Sequence, residues 1–422
     1  MEIIIHRGAT QIGGSVTEYR YNGWRLFVDF GEQLPGTPVY VQLDMEGLTK
    51  GDLSKSAMLI THYHGDHIGN IHQIPMEIPV FMGKLGIEIQ KITSNHLKEV
   101  DRKQACLLER LNKAIPFEAG TAFEFGPFEI MPIVIDHSAF DACAFKIKTD
   151  DTSVFHTGDF RTHGFRSGKF LKAIDKYIGK VDYVICEGTN VKRSDAALQS
   201  EHDLQKQLEA EFWQYKFNIV YLSSTNIDRL FSLYHAALRI GIPFIVDSHQ
   251  KRIMDAVVKS DHIWAKSSLY KYGKCKPMVL KYDKDNPGEH LISEKFIAFL
   301  KQKGYVLIAR SNPRFDHLID KMPGESKQCY LSMWNGYVSN PASPSYNKEL
   351  AAALGKGYLY RHTSGHCDMK NLRKLFVQLS PKAIIPIHTD APEAFAKLFN
   401  DQWPVRLLQD GDLFILHSKK LF

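Results

Sequence analysis

Four side chains that can bind a metal ion lie within six positions of this sequence: His62, His64, Asp66 and His67. Imidazoles and a carboxylate crowded on one short segment suit zinc or a similar first-row metal. In an extended chain His62 and His64 point the same way, because side chains alternate with a period of two. They can therefore share one ion. Asp66 and His67 follow the bend at Gly65 and can face a second ion beside it.

The segment before these side chains must position them. Residues 57–60 form an apolar run that predicts the end of a buried strand, and Gly65 and Gly69 allow a sharp turn after it. The plain alternative is a histidine-rich surface loop. That alternative suits a single histidine better than three histidines and an aspartate placed directly after a buried strand.

Other groups of the same chemistry also follow predicted strands. They are His137 after residues 128–135, Asp159 after 153–156, Glu187 after 183–186 and His388 after 383–387. We expect these strands to end at one edge of a single sheet, so that the side chains converge on the metal loop. Each residue alone has a simpler explanation, as a structural histidine or a turn former. Their recurrence favours a shared metal site.

The remaining pattern predicts an α/β protein. Further strands are expected at 2–6, 25–29, 79–82 and 144–148, and a helix at 85–112. After residue 200, helices and strands alternate, which is typical of a parallel sheet. The expected elements are helices at 201–215, 227–240, 249–258 and 371–379 and strands at 218–222, 242–246, 305–309 and 328–332. Residues 340–345 are the best linker candidate.

Composition limits the class of protein. The 422 residues suffice for two domains, or for one with an insertion, and 44% hydrophobic residues exclude a disordered or fibrous chain. A formal charge of +6 permits a polyanionic substrate without requiring one. The six cysteines include no C-x-x-C pair and are expected to be reduced. With neither a signal peptide nor a membrane span in the pattern, we predict a cytoplasmic enzyme.

Two further features each leave two interpretations open. Ser223, Ser224 and Asn226 stand between a predicted strand and a helix, where they can either cradle a phosphate or simply cap the helix. Asp29 either supports the metal loop through a hydrogen bond or is an ordinary residue before a turn.

The chain resembles the β-CASP branch of the metallo-β-lactamase superfamily over nearly its whole length, and within it the ribonuclease J family. The motifs that carry this resemblance, in the family's order, are His62-x-His64-x-Asp66-His67, His137-Ser138-x-x-Asp141, Thr157-Gly158-Asp159-Phe160, Glu187-Gly188-Thr189, Ser364-Gly365-His366 and Pro386-Ile387-His388. The resemblance implies an αββα sandwich built from residues 1–190 and 351–422. It also implies an α/β β-CASP cap domain inserted at 191–350.

The same resemblance implies roles for individual residues. A first Zn²⁺ would be held by His62, His64 and His137, and a second by Asp66, His67 and His388, with Asp159 bridging; Mn²⁺ is possible instead. Asp66, Glu187 and His366 would be catalytic, with Glu187 orienting His366 against the scissile phosphate or the leaving oxygen. Substrate contacts would come from Ser223, Ser224, Asn226, Ser364 and His366. Candidate phosphate-binding cations are Arg161, Arg166, Lys192, Arg193, Arg229 and Arg310.

The function expected from these features is that of a two-zinc nuclease for single-stranded RNA, acting as an exonuclease, an endonuclease or both. The alternatives are a DNA-directed nuclease and a small-molecule hydrolase on the same fold. A binding protein with a structural metal is disfavoured, since the ligand set is complete. The chain departs from ribonuclease J at Asp228, where that family usually has a histidine, and over 311–345. A homodimer is possible, although the sequence ends at Phe422 without the family's usual C-terminal extension.

Overall fold

The computed structural model describes residues 1–37, 43–193, 198–280, 293–355 and 357–416, and every structural statement below concerns these residues. The chain forms two compact units. One comprises Met1–Leu198 and Gly365–Phe422, and the other is Gln199–Ser364. The second unit is therefore inserted into the first. No helix in the described part of the chain has both the length and the apolar character needed to cross a bilayer.

The N-terminal part of the first unit contributes most of two sheets. Its strands are β1 (Glu2–Arg7), β2 (Val16–Tyr21), β3 (Trp24–Val28), β4 (Ser56–Leu59), β5 (Val80–Gly83), β6 (Ile115–Phe117), β7 (Phe123–Phe125), β8 (Phe128–Val134), β9 (Cys143–Lys148), β10 (Ser153–His156) and β11 (Tyr183–Glu187). Its α-helices are α1 (Gly65–Ile68), α2 (Lys84–Leu97), α3 (Arg102–Asn112) and α4 (Phe170–Ala173).

The helix predicted at 85–112 is wrong in one respect, because α2 and α3 are separate helices. Asp101 stands between them with extended backbone angles, and its side chain accepts a hydrogen bond from the Lys103 backbone N–H. An aspartate at this position caps a new helix rather than continuing the old one. The change of direction lets α3 pack against α2 while α2 packs on β5 and β6.

The inserted unit is an α/β layer with an entirely parallel sheet. Its elements are α5 (Glu201–Gln214), β12 (Phe217–Tyr221), α6 (Ile227–Ile240), β13 (Phe244–Asp247), α7 (Ser248–Lys259), β14 (Met278–Leu280), α8 (Glu294–Lys303), β15 (Tyr305–Ala309), α9 (Pro313–Lys321), β16 (Gln328–Leu331), α10 (Gly336–Ser339), α11 (Lys348–Leu354) and β17 (Leu359–Tyr360). The strand order is β14-β13-β15-β12-β16-β17. This arrangement agrees with the alternation seen in the sequence.

The boundaries of the inserted unit lie later than 191 and 350. Leu350 and Leu354 of α11 belong to its hydrophobic core, and β17 pairs with β16. Residues 351–364 therefore belong to the inserted unit and not to the closing segment. The proposed linker at 340–345 lies inside this unit, between α10 and α11, and Val338 before it and Leu350 after it pack in the same hydrophobic core.

The closing segment returns to both sheets of the first unit. It comprises α12 (Met369–Leu379), β18 (Ala383–Ile387), α13 (Pro392–Phe399) and β19 (Leu413–Ile415). The first sheet has the order β19-β1-β2-β3-β4-β5-β6 and the second β18-β11-β10-β9-β8-β7. The two sheets face each other, as the buried hydrogen bond between Tyr19 of β2 and His156 of β10 shows. The predicted αββα sandwich with an inserted α/β unit is confirmed.

The expectation that all the site-bearing strands share one sheet is wrong. β4, which leads into the histidine-rich loop, lies in the first sheet, whereas β8, β10, β11 and β18 lie in the second. The latter four run in one direction, because β9 is antiparallel to both β8 and β10 and β11 and β18 are parallel to β10. Their carboxyl ends meet the end of β4 across the sandwich.

Candidate metal centre

The loop after β4 is fixed by close packing against the chain after β3. His64 has extended backbone angles, and one helical turn, α1, begins directly after it at Gly65. Gly31 lies so close to this turn that a Cβ atom on it would be 1.7 Å from the carbonyl oxygen of Asp66. Only glycine fits at this position, so Asp66 is held against the first sheet.

Three imidazole nitrogens converge at the first cluster. His64 Nδ1 lies 3.0 Å from His62 Nε2 and 3.1 Å from His137 Nε2. His137 donates its Nδ1–H to the carbonyl oxygen of Gly365, 2.7 Å away, which leaves Nε2 as a bare acceptor. Nitrogens around a tetrahedral zinc ion lie about 3.3 Å apart, given Zn–N distances of about 2.0–2.1 Å. The three donors therefore match one such ion.

A second cluster lies beside the first and combines two imidazoles with two carboxylates. His67 Nε2 is 3.1 Å from Asp159 Oδ2, and His388 Nε2 is 3.3 Å from Asp66 Oδ2. His388 Nε2 is also 3.7 Å from Asp159 Oδ2. All four donor atoms lie within 4.8 Å of one another. This mixed nitrogen and oxygen set also suits a first-row divalent cation.

Hydrogen bonds behind the second cluster set the orientation of its rings. Asp29 Oδ2 accepts the Nδ1–H of His67 at 2.7 Å, and the hydroxyl of Thr189 lies 2.8 Å from His388 Nδ1. In each ring Nε2 is thereby directed toward the cluster. The supporting interpretation of Asp29 is confirmed. Thr189 belongs to the Glu187-Gly188-Thr189 motif, but the sequence alone indicates no role for its hydroxyl group.

Two of these residues have backbone angles that are uncommon for residues other than glycine. Asp29 has φ 61° and His388 has φ 51°. Such conformations cost about 1–3 kcal/mol and persist where the surroundings impose them. Both occur just past a strand end, where the chain turns: His388 then presents its ring to the cluster, and Asp29 holds His67 from behind.

A third pair borders the second cluster. Glu187 Oε2 lies 3.0 Å from His366 Nδ1, and Glu187 Oε1 accepts hydrogen bonds from the backbone N–H groups of Cys367 and Phe160. Glu187 is buried, whereas the His366 side chain is 21% exposed. The imidazole is therefore held by a fixed carboxylate but stays accessible to solvent and to a ligand.

The electrostatics of the centre separate its histidines into two classes. Burial, reinforced by neighbouring imidazoles, holds the pKa of His62 and His137 well below the ordinary value, and burial lowers that of His64 to about 4. These rings are neutral at pH 7 and have lone pairs for a cation. Burial opposes protonation of His366 as well, but Glu187 and Asp159 outweigh it and raise its pKa to about 9.

The loop after β8 that carries His137 is braced by buried arginines. Arg161 Nε donates to Asp136 Oδ1 at 3.0 Å, and Arg166 donates to the carbonyl oxygens of His137 and Phe140. Both guanidinium groups are buried. The expectation that they contact substrate phosphates is therefore wrong, since their charge is used inside the fold.

The other four candidate cations differ in exposure. Arg229 is fully buried and lies 3.0 Å from Glu201. Because its guanidinium group is inside the fold, it cannot contact a phosphate. Arg310 is paired with Asp247 and is 26% exposed. Lys192 is 58% exposed and lies 3.0 Å from Asp390, and Arg193 is exposed. Of the four, Lys192 and Arg193, both in the first unit, are exposed enough to bind a phosphate.

The predicted substrate-binding residues other than His366 lie in the inserted unit. Asn226 is the N-cap of α6, since its side chain accepts a hydrogen bond from the Arg229 backbone N–H. Ser223 bonds to the Thr225 hydroxyl, and both Ser224 and Ser364 are largely buried. The capping interpretation is thus correct for Asn226. Asp228 is buried and accepts a hydrogen bond from the Tyr270 hydroxyl at 2.6 Å, so its side chain is occupied within the unit.

Comparison with known proteins connects the chain to ribonuclease J. The ribonuclease J of Sinorhizobium meliloti is 26% identical and aligns with 91% of this chain and 68% of its own length. That of Mycoplasma genitalium is 21% identical, over 98% of this chain and 73% of its own length. That of Corynebacterium glutamicum is 27% identical, over 55% of this chain and 32% of its own length. No protein-family model matches the chain. The predicted resemblance to ribonuclease J is confirmed.

Solved structures with the same fold include the following example. It is a crystal structure of a protein of unknown function from Enterococcus faecalis V583, which matches with a TM-score of 0.74 over 98% of this chain and 99% of that chain. At 18% sequence identity the match concerns the fold alone. That protein therefore shares the α/β architecture described above.

Proposed function

We propose that this ribonuclease J-like chain is a two-metal nuclease that hydrolyses phosphodiester bonds in single-stranded RNA. The observation that carries the proposal is the position of the Glu187–His366 pair beside two adjoining sets of metal donors. His366 Nδ1 lies 3.8 Å from Asp159 Oδ2, a member of the second cluster. A proton-carrying group next to two cation sites is the arrangement that phosphodiester hydrolysis needs.

The donors fit two divalent cations. His62, His64 and His137 would hold the first, Asp66, His67 and His388 the second, and Asp159 would contribute to both. When bound, the two ions would offset the phosphodiester charge and make a water molecule nucleophilic at neutral pH. The imidazole-rich first set favours zinc, and the carboxylates of the second also accept manganese. Asp66 is therefore assigned a catalytic role through the second ion.

His366 is assigned as the group that protonates the leaving oxygen or holds the scissile phosphate. Its Nδ1 is engaged by Glu187, so that Nε2 is the nitrogen available to a substrate. Asn190 donates to the backbone oxygen of His366 at 2.9 Å and keeps the chain in place. Glu187 acts through His366 and positions it.

We further propose which side chains contact the RNA backbone. Ser223 is exposed at the N-terminal end of α6, which Asn226 caps, and its hydroxyl group suits a backbone phosphate, whereas the hydroxyl group of Ser224 is buried behind it. Ser364 precedes His366 by two residues and is assigned to the same strand of RNA. Exposed Lys192 and Arg193 add sequence-independent, salt-dependent attraction. All six cysteines are free thiols, which agrees with action in the reducing cytoplasm.

A cleavage assay tests the proposal. Purified protein is incubated with Zn²⁺ or Mn²⁺ and an internally labelled single-stranded RNA that carries a 5′-monophosphate. The Asp66→Ala protein is the control. We expect cleavage by the wild type alone, and the product ladder distinguishes release of mononucleotides from internal cuts. A homodimer would be detected in the same preparation by light scattering.

The assay also has outcomes that contradict the proposal. Cleavage of single-stranded DNA but not RNA would make the chain a DNA-directed nuclease. If neither nucleic acid were cleaved by protein with two bound ions, a small-molecule hydrolase on the same fold would replace the nuclease.

A further inference from the structure

An exposed aromatic pair follows β16 in the inserted unit. Trp334 is 45% exposed and Tyr337 is 39% exposed. Their rings pack edge to face, with centroids 5.4 Å apart. They lie in the segment 311–345, where the sequence departs widely from the ribonuclease J pattern.

The indole ring of Trp334 is held in place by its own chain. A Cβ atom on Gly336 would lie 2.2 Å from Trp334 Cζ2, so the ring occupies the space that a side chain at 336 would fill. On either side of the pair, Met333 and Val338 pack against the core of the unit. The backbone oxygen of Tyr337 also accepts a hydrogen bond from Asn347 N–H at 2.8 Å. The exposed ring is therefore fixed before any ligand arrives.

The pair leaves the sheet at the edge where α/β proteins bind ligands. Open parallel sheets take their ligands outside the carboxyl ends of the strands. The Ser332 N–H donates to the Tyr221 carbonyl oxygen at 3.0 Å, so that β16 and β12 end side by side. Neighbouring strands are about 4.8 Å apart. Trp334 thus follows one strand, and Ser223 and Ser224 follow the adjacent one.

The stretch of sequence that contains the pair has a charge pattern that suits a polyanion. The sequence contains no acidic residue between Glu325 and Glu349, whereas Lys327 and Lys348 lie within that interval. Proteins that bind single strands combine positive charge with aromatic rings on which bases stack, and this stretch of the chain carries lysines together with an exposed indole.

We propose that the Trp334 ring, supported by Tyr337, is a stacking platform for a nucleobase of single-stranded RNA. This proposal rests on the proposed nuclease function and adds to it a base contact within the inserted unit. The contact is tolerant of sequence, because every base offers a π-face. Loss of one stacked base is expected to weaken binding at least about fivefold.

Binding of a labelled single-stranded RNA tests the platform. The Asp66→Ala protein serves as the parent so that the RNA stays intact, and Trp334→Ala and Trp334→Phe are made in it. Trp213→Ala is the matched control, because Trp213 is 78% exposed in the same unit but lies next to the amino end of β12. We expect Trp334→Ala to raise Kd at least about fivefold, Trp334→Phe to retain most of the affinity and Trp213→Ala to change nothing.

A second arm identifies the contact as stacking on a base. The RNA is made abasic at one position after another, and at the stacked position the difference between parent and Trp334→Ala should vanish. Equal affinity of parent and Trp334→Ala for intact RNA would overturn the platform and leave the nuclease proposal standing. Failure of the wild type both to bind and to cleave RNA would overturn the nuclease proposal, and the platform with it.

Discussion

Asp29 illustrates how one buried carboxylate holds a metal loop. It accepts hydrogen bonds from the backbone N–H of Thr61 at 2.8 Å, from the Thr61 hydroxyl at 2.7 Å and from His67 Nδ1 at 2.7 Å. The first two fix the chain where it leaves β4, and the third fixes the tautomer of His67. The position of the loop and the orientation of the His67 ring therefore depend on a side chain that does not belong to either donor cluster.

We predict that Asp29→Asn weakens binding of one of the two ions about 10–100-fold, the range typical for loss of such a supporting partner. An amide presents either its oxygen or its NH₂ group and cannot accept all three hydrogen bonds. Metal affinity is measured by titrating apoprotein with Zn²⁺ against a chelating dye. Asp182→Asn is the control, because Asp182 bonds to Ser153 at the other end of β10. Unchanged affinity in Asp29→Asn would contradict this role.

His366 can be distinguished from the proposed metal ligands by measuring metal content and kcat together. We expect His366→Ala to lower kcat by about 10²–10⁴-fold, as for loss of a general acid, while two ions per chain remain. Metal content is counted by mass spectrometry and kcat is measured on RNA. The Asp66→Ala protein should lose both an ion and activity. If His366→Ala also lost an ion, His366 would have to be reassigned as a ligand.

At the scale of elements, the site depends on how the turn after β3 packs on α1. Gly31→Ala would place a methyl group on the Asp66 carbonyl oxygen, and backbone cannot move aside as a side chain can. We predict that Gly31→Ala binds one ion fewer and that its free energy of unfolding falls by about 1–3 kcal/mol. Metal counting and denaturant unfolding measure the two effects. Gly168→Ala is the control, because nothing lies within 4 Å of its added Cβ. Wild-type stability and metal content in Gly31→Ala would refute this packing argument.

A polar network ties together β1, β2 and β3 on the first sheet. The buried Glu18 carboxylate lies 2.7 Å from His6 Nε2, 2.6 Å from Arg20 Nε and 2.7 Å from Arg25 Nη1. Burial raises the pKa of Glu18, but the hydrogen bonds from His6 and Arg20 outweigh it and lower the pKa to about 2.

This network predicts a pH dependence of stability. The folded-state pKa of Glu18 lies below the ordinary value of 4.5, so the unfolded chain binds the proton more readily. Its stabilising contribution, of the order of 3 kcal/mol, is present above about pH 4.5 and is lost as pH falls toward about 2. The difference in unfolding free energy between wild-type and Glu18→Gln apoprotein should shrink over that range. A difference that is constant with pH would show that the charge of Glu18 contributes nothing.

The elements that lead to the site were predictable, because their signal is local. Apolar runs followed by His, Asp or Glu indicated β4, β8, β10, β11 and β18 to within about two residues. Strand β2 was not predicted. Its alternation places Tyr19 toward the second sheet and Glu18 on the opposite side, and two charged residues in a buried strand obscure the apolar pattern.

For the whole molecule, the sequence indicated which side chains lie together better than it indicated which strands bring them there. The seven proposed ligands come together as expected in two adjoining clusters. That these ligands come from two sheets could not be inferred, because strand pairing is a long-range property that the apolar pattern of one strand does not encode. The same holds for the Gly365 carbonyl oxygen that orients His137 from 228 residues away. Arg161, Arg166 and Arg229 were assigned to phosphates for a related reason. The sequence does not show that each of them has a buried partner within the fold.

The most direct test of the account is a titration of metal-free protein with Mn²⁺, in which bound ions and the rate of cleavage of single-stranded RNA are measured at each step. Two adjoining sites that act as one catalytic centre predict little cleavage until a second ion begins to bind. The rate should then rise to a plateau at two ions per chain. Full activity with one ion, or two bound ions without RNA cleavage, would contradict the account.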